Sequence, residues 1–421
     1  MSCIDKDYAK LKEISECFTE ETLQNILYTV YNGKEINILS WKLAEASAKG
    51  DNYLSDVNKI KITGTIDEKE VEVNLVVKSL PKNIGRRNTY RSPEFFHNEN
   101  AFYTKIIPEF QKFLTEKCQT QVLCIPRYFG SIIDGENDYI ALQDVTVLGY
   151  KPIARQNCLT EDQCIMILKA IAKFHAISFA FKNQKKEKFM EIVTYLNETY
   201  FSIKHWQWYK RFFETIVDIA KNALAIEYPD SKAEKKFNSY KVEELFQKAV
   251  KLCDRKYEST SVIIQGDSWV PNYLVQQTKN EALMLDFQLA RCASPILDIS
   301  TCIYACTDKA LWNEKFDTLL ESYYAELCNT ISLLGSDPKK LYPWDTFMNE
   351  VKEQFVFGMI FAMEIIPVSL LDESDTLDLD NISDENGVDI ADVWILSHIK
   401  SQSGRLRLAN IIVHAVQKGF L

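Results

Sequence analysis

The chain has 421 residues, 46% hydrophobic and 26% charged, an ordinary globular composition that sets aside disordered, collagen-like and coiled-coil classes. At this length a single core is not expected, and two domains or lobes are the default. A formal net charge of −10 and a pI of about 5.3 leave no basic face for extended DNA or RNA, whereas one bound nucleotide needs only a lysine and metal ions.

The opening residues 1–7 are polar, and no signal peptide is expected. Helical periodicity runs from Tyr8 to Tyr31. Two alternating stretches follow, 58–63 and 71–78, with a turn near residues 65–69; together they predict an antiparallel hairpin. Residues 93–113 read as helix and 138–143 as another strand. A small sheet with a packed helix is therefore expected over roughly the first 145 residues.

Beyond residue 159 the pattern is mainly helical. Thr160 and Gln163 form a capping box, opening a helix with Cys164, Leu168, Ile171 and His175 on one face. His175 there reads as a satisfied core histidine. Residues 182–188, rich in lysine, read as a solvated connection. A strand-rich island interrupts the helices at 262–264, 273–276 and 283–285. The longest apolar run, Phe355 to Leu371, is broken by Glu364 and Pro367 and falls short of the roughly 20 residues of a membrane span. It reads as a buried helix ending near Pro367, and no membrane partner is expected. Residues 372–389 hold eight acidic residues and no basic one, which suggests an exposed loop. Eleven cysteines without a CxxC pair argue against structural zinc and for reduced thiols in a cytoplasmic protein.

The chemistry concentrates in the strand-rich island. In Gln265-Gly266-Asp267-Ser268-Trp269-Val270-Pro271-Asn272 an aspartate and an asparagine, separated by four residues, share a loop leaving an apolar strand. A carboxylate that accepts a hydroxyl proton, beside an amide oxygen that holds magnesium, suits phosphoryl transfer. Asp286 adds a second carboxylate at the end of the strand Leu283-Met284-Leu285. Far upstream, Lys78 ends a strand with parity opposite to Val73, Leu75 and Val77. Glu99 follows 21 residues later in a helical stretch. A strand lysine held by a helix glutamate is how kinases place a cation on nucleotide phosphates. Residues 49–55, with a single glycine, could form the loop over those phosphates. Trp206, Trp208 and Tyr209 could line an apolar pocket, but an aromatic helix packed on the core is the better reading. Arg86, Arg87 and Arg91 read as a solvated loop between strand and helix.

In this order the motifs resemble the ecdysteroid-kinase-like family, a branch of the choline-kinase and aminoglycoside-phosphotransferase-like group. The stretches that carry the resemblance are Lys49-Gly50-Asp51-Asn52-Tyr53 with Ser55, Val77-Lys78-Ser79-Leu80-Pro81, Glu99 with Phe102-Tyr103, and Leu142-Gln143-Asp144-Val145. The helix Ala172 to Ser178, the loop Gly266 to Asn272, Leu285 to Arg291 and Ser294 to Asp298 complete it. The resemblance runs from about residue 35 to the C-terminus. It implies an α+β, two-lobed protein-kinase-like fold: a small sheet-rich N-lobe over residues 1–145 and a larger, mainly helical C-lobe over 146–421. It also implies ATP as donor, Mg2+ as cofactor and a hydrophobic, steroid-like small-molecule acceptor phosphorylated on a hydroxyl. Asp267 would be the catalytic base, Asn272 and Asp286 the metal ligands, and Lys78 the phosphate clamp oriented by Glu99. Gly50, Asn52 and Ser55 would belong to the phosphate loop, Leu142, Gln143 and Asp144 to the adenine hinge, and Asp298 would brace the catalytic loop. Two positions depart from the family pattern, Gln265 for its usual histidine and Gln143 for its usual glutamate. The first keeps two alternatives in view: a catalytically impaired pseudokinase that only binds, and a choline or amino-alcohol kinase-like enzyme.

Overall fold

The computed structural model describes residues 6–45, 54–371 and 379–421. They fall into two compact units. The first holds the described residues of Met1–Asn100, Pro126–Gly149 and Glu373–Val388; the second holds those of Ala101–Ile125, Tyr150–Asp372 and Asp389–Leu421. The chain passes between units more than once, where the sequence suggests one boundary at residue 145. Packing explains the difference. Phe102 and Phe110 pack among Phe174, Phe181 and Phe287 of the second unit, while residues 380–388 hydrogen-bond to Asn83, Asn88 and Thr89 on the first unit's helix Ile84–Tyr90 and its cap.

The first unit is built on a five-stranded antiparallel sheet of order β1-β2-β3-β5-β4. Its strands are β1 (Asn37–Glu45), β2 (Asp56–Ile66), β3 (Lys69–Ser79), β4 (Tyr128–Ile132) and β5 (Tyr139–Gln143). Asp67 and Glu68 close the β2–β3 hairpin, both at positive φ, the geometry of the tight turns that match strand twist. The N-terminal periodicity resolves into two helices, Tyr8–Ile14 and Glu20–Val30, the second opened by a Thr19–Thr22 capping box. Leu11, Ile14, Leu23 and Leu27 from these helices cover Ile60, Ile62, Leu75 and Val77 on one sheet face. Arg86 and Arg87 belong to the helix Ile84–Tyr90, not to a solvated loop, and Arg86 is buried.

The second unit is mainly helical. Its short strands are β6 (Lys151–Pro152), β7 (Val262–Ile264), β8 (Tyr273–Gln276), β9 (Glu281–Met284) and β10 (Arg291–Ala293). They pair as β6-β8-β9 and β10-β7. Its central helix, Glu161–Gln184, carries the expected capping box and packs against Lys309–Leu333, β7 and β9. Among the described residues it is the one helix long and apolar enough to cross a membrane, and most of it is buried inside the protein. The lysine-rich segment is solvated as expected, but it is mostly helical, with Lys185 the junction between Glu161–Gln184 and the helix Lys186–Ile192; Lys182 Nζ donates to the carbonyls of Glu258, Ser259 and Ser261. Helix Val356–Ser369 is buried along its whole length and continues two residues past Pro367. A sheet-rich unit and a larger helical unit are the α+β, kinase-like architecture that the sequence motifs imply.

Candidate active site

Leu75 and Val77 point into the core under the N-terminal helices, so alternation turns Lys78 to the opposite face of β3. Helix Ser92–Ala101 supplies Glu99 there. Lys78 Nζ donates to Glu99 Oε2 at 2.6 Å, with side-chain exposures of 11% and 1%. β5 lies beside β3 and aligns Leu142 and Gln143 with Val76 and Leu75. The Asp144 carboxylate accepts from the N–H and hydroxyl of Thr146 and sits 3.2 Å from Lys59 Nζ. It is committed to the turn Val145–Leu148. Ser55 is buried, and its carbonyl accepts from Arg86 Nη2 at 3.3 Å. Gly50 and Asn52 lie outside the described residues.

In the second unit, β7 runs into the loop that bears Asp267. Gly266 sits there at φ +88°, and a Cβ at this position would lie 2.0 Å from the Leu289 carbonyl oxygen; the turn needs glycine on both counts. Asp298, buried on the helix Ile296–Cys306, accepts from the backbone N–H groups of Gln265 at 2.8 Å and Gly266 at 2.9 Å. Behind it, His175 places Nε2 3.2 Å from Asp298 Oδ2 and Nδ1 2.9 Å from the Tyr323 hydroxyl. The brace that the resemblance implies therefore has a second layer. His175 is buried and satisfied as expected, yet it is joined to the Gln265–Gly266 turn through Asp298.

Gln265 uses every hydrogen-bonding position of its amide. Nε2 donates to the carbonyls of Leu285 at 3.0 Å and Asp286 at 2.7 Å. Oε1 accepts from the Asp267 N–H at 2.7 Å and the Ser268 hydroxyl at 3.4 Å. One side chain thus joins the loop of Asp267 to the segment of Asp286. Asp286 is itself at φ +57°, a left-handed backbone uncommon for aspartate and held here by the Gln265 bond to its carbonyl. Asn272 Nδ2 donates to the Asp267 carbonyl and to its Oδ2, both at 2.8 Å. Leu285 N–H donates to the Asn272 carbonyl at 2.8 Å, which closes the circuit. Phe287, next after Asp286, stacks on Phe102 with ring centres 3.8 Å apart. Burial, and next the charge of Asp286, raise the Asp267 carboxyl to about 7, against the opposing hydrogen bond from Asn272.

The donor set tests the implied metal. With Nδ2 spent on Asp267, Asn272 keeps its amide oxygen, and Asp286 adds carboxylate oxygens. Two hard oxygen donors suit magnesium, which typically takes one or two protein ligands and completes its shell with water and phosphate. Among the described residues no cluster of three His, Cys, Asp or Glu side chains is placed to hold a metal alone.

One feature is not evident from motif spacing. Glu364, the only charged residue of the helix Val356–Ser369, is buried and accepts from the hydroxyls of Tyr200, at 2.5 Å, and Tyr209. Phe201, Phe361 and Trp208 pack around these tyrosines. Burial raises Glu364 to about 7, and its charge contributes to the rise at Asp267. A lone carboxylate within an apolar run is the sequence signal that could have found it.

A buried lysine–glutamate pair in one unit, and an acid–amide loop tied to a second acid in the other, are the two groupings that the kinase-like motifs imply. The model of the Ecdysteroid kinase-like family matches residues 49–336, and the chain belongs to that family. The match is narrower than the span from residue 35 onward over which the motifs resemble it. No curated protein matches the sequence. Among solved structures the chain is similar to an ethanolamine kinase of Plasmodium vivax, at 12% identity and TM-score 0.39 over 92% of this chain and 95% of that one. It is also similar to the GDP complex of aminoglycoside 2'-phosphotransferase-IIIa, at 12% and 0.37 over 82% and 90%. Choline kinase LicA of Streptococcus pneumoniae matches at 9% and 0.34 over 83% and 98%. Likenesses at these scores assign no substrate.

Proposed function

We propose that the protein transfers the γ-phosphoryl group of ATP to an alcohol of a small molecule, with a hydroxyl of a steroid-like molecule as the leading acceptor. The observation that carries this reading is the Gln265 amide. It gives the Asp267 loop and the Asp286 segment the mutual support that a scaffold histidine would give, so the departure from the family pattern is no evidence of a dead site. In the proposed reaction the acceptor oxygen forms a bond to Pγ, the bond from Pγ to the β–γ bridging oxygen breaks, and ADP leaves. Asp267 orients the acceptor hydroxyl and takes its proton late. Lys78, fixed by Glu99, holds phosphate oxygens. Asn272 and Asp286 would hold magnesium, which supplies positive charge against the phosphates. The ten described cysteines are all free thiols, in keeping with a reducing, cytoplasmic setting.

A second acceptor reading, an amino alcohol, is favoured by Glu364. A buried carboxyl beside an aromatic cluster is a negative charge that an ammonium group could pair with.

The test is a thermal-shift titration with ATP and magnesium, followed by phosphate transfer to a panel of hydroxylated steroids and amino alcohols. Ligand at 100 times its dissociation constant should stabilise the wild type by about 2.7 kcal/mol. Asp286→Asn should lose the magnesium-dependent part of the shift. A folded wild type that shows no shift would favour a non-catalytic protein instead.

A further inference from the structure

The acidic stretch read from sequence as an exposed loop is, over residues 379–388, a strap bound to the helix Ile84–Tyr90. Its grip is mostly through main-chain groups. Asn83, the cap of that helix, donates from Nδ2 to the carbonyls of Asp380 at 2.7 Å and Ile382 at 3.0 Å. Asn88 Nδ2 donates to the Glu385 carbonyl at 2.6 Å, and the Val388 N–H donates to Thr89 Oγ1 at 2.9 Å. Gly85 has no room for a side chain, since a Cβ would meet the Asp384 carbonyl oxygen at 2.5 Å.

At the centre of this contact lies Arg86, whose side chain is 5% exposed. Its Nη1 donates to Asp56 Oδ1 at 2.9 Å and to Asp380 Oδ1 at 3.1 Å, and its Nη2 donates to the Ser55 carbonyl at 3.3 Å. A guanidinium so enclosed needs its counter-charges and fixes the groups that supply them. Two of them, Ser55 and Asp56, sit at the start of β2, where Asp56 pairs with Ser79 and Val57 with Lys78. Arg86 therefore connects the strap to the strand end beside the phosphate-clamp lysine, at the point where the 49–55 motif ends.

We propose that Arg86, held by Asp380, positions the end of the phosphate-loop motif at Ser55 and Asp56, so that the strap 379–388 sets affinity for the nucleotide's phosphates. This rests on the kinase reading above. A segment far along the chain, otherwise remote from the phosphate motifs, thereby becomes a determinant of nucleotide binding. It acts through backbone position and does not itself touch the nucleotide.

The experiment measures dissociation constants for Mg-ATP and for adenosine by calorimetry on the full chain, for wild type, Arg86→Lys and Asp380→Asn. Lysine keeps the charge but cannot reach three oxygens with a planar fork. Mg-ATP should weaken about tenfold in Arg86→Lys and about threefold in Asp380→Asn, whose carboxylate is 66% exposed and shares Arg86 with Asp56. Adenosine, which lacks phosphates, should bind all three alike. Parallel losses on Mg-ATP and adenosine would mean general destabilisation and would overturn the proposal. So would wild-type Mg-ATP affinity in both variants, or in Asp380→Asn alone, because the strap would then have no part. If Arg86→Lys does not fold, Asp380→Asn carries the test by the same criteria. A wild type that fails to bind Mg-ATP overturns the kinase reading, and this proposal with it.

Discussion

Gln265 lies where the family usually has histidine, and the two residues differ in one property that can be measured. Histidine gains a proton near pH 6.5, whereas an amide does not titrate. The Gln265 oxygen must accept from the Asp267 N–H while its NH2 donates to two carbonyls. Imidazole can do one of each when neutral, and loses its acceptor when protonated. Gln265→His should therefore transfer phosphate within a few-fold of wild type at pH 8 and fall away below about pH 6.5, while wild type shows no such step from this position. A large gain from histidine would mean that the glutamine costs activity. Gln265→Ala leaves the Leu285 and Asp286 carbonyls and the Asp267 N–H without this partner, at about 1–3 kcal/mol for each group that stays buried. Phosphate transfer should drop with stability in that variant. Asp267→Asn, which removes the proton acceptor and preserves the shape, should lower turnover by about 10²–10⁴-fold with nucleotide binding retained. Near-normal turnover would remove Asp267 from the role.

Strands and helices supply the next set of constraints. Lys78 is an ion-pair partner because strand parity and a helix glutamate coincide, and both were visible in sequence: alternation in 71–78 and an acid 21 residues on. The pair is buried, so removing one partner costs more than the pair contributes. Lys78→Ala should destabilise the protein by about 3–5 kcal/mol in urea unfolding, and Lys78→Met with Glu99→Leu should recover most of the loss. Equal stability in the single and double variants would show that the carboxylate is well solvated. Two strands of the same sheet escaped the pattern, and the reason is local. β1 has a register shift between Ile38 and Ser40, and β4 has one between Tyr128 and Gly130. Each bulge breaks the period of two that makes a strand readable. Ile38 and Trp41 both face the core three residues apart, a spacing that alternation forbids. The strap was hidden for a different reason. Its contacts use the carbonyls of Asp380, Ile382 and Glu385, which side-chain composition does not report, while the side chains of Asp380, Asp384 and Glu385 are exposed as the composition suggests.

For the whole chain, the motifs revealed the two chemical groupings but not how the chain is shared between units, because that depends on which aromatic and main-chain surfaces find each other late in sequence. The same holds for Glu364. A carboxylate in the helix Val356–Ser369 looked like an interruption of an apolar run, whereas it is enclosed by Tyr200 and Tyr209. Its ionisation links the site to global stability. Burial lifts Glu364 from 4.5 to about 7, so between these values the folded protein holds a proton that the unfolded chain releases. The stability it contributes is therefore complete below about pH 4.5 and is lost as pH rises through 7. About 2.5 pH units at about 1.4 kcal/mol each sets a scale on the order of 3 kcal/mol. Asp267, raised by the same burial, acts in the same direction, so the difference between wild type and a Glu364 variant is the useful quantity. Glu364→Gln keeps a neutral amide that can bond both tyrosines and has no charge to bury. In urea unfolding it should match wild type near pH 5 and exceed it at pH 8. A difference that stays constant across that range would mean that Glu364 titrates as an ordinary exposed acid. In that case the aromatic enclosure would have no hold on its proton, and the amino-alcohol reading would lose its observation.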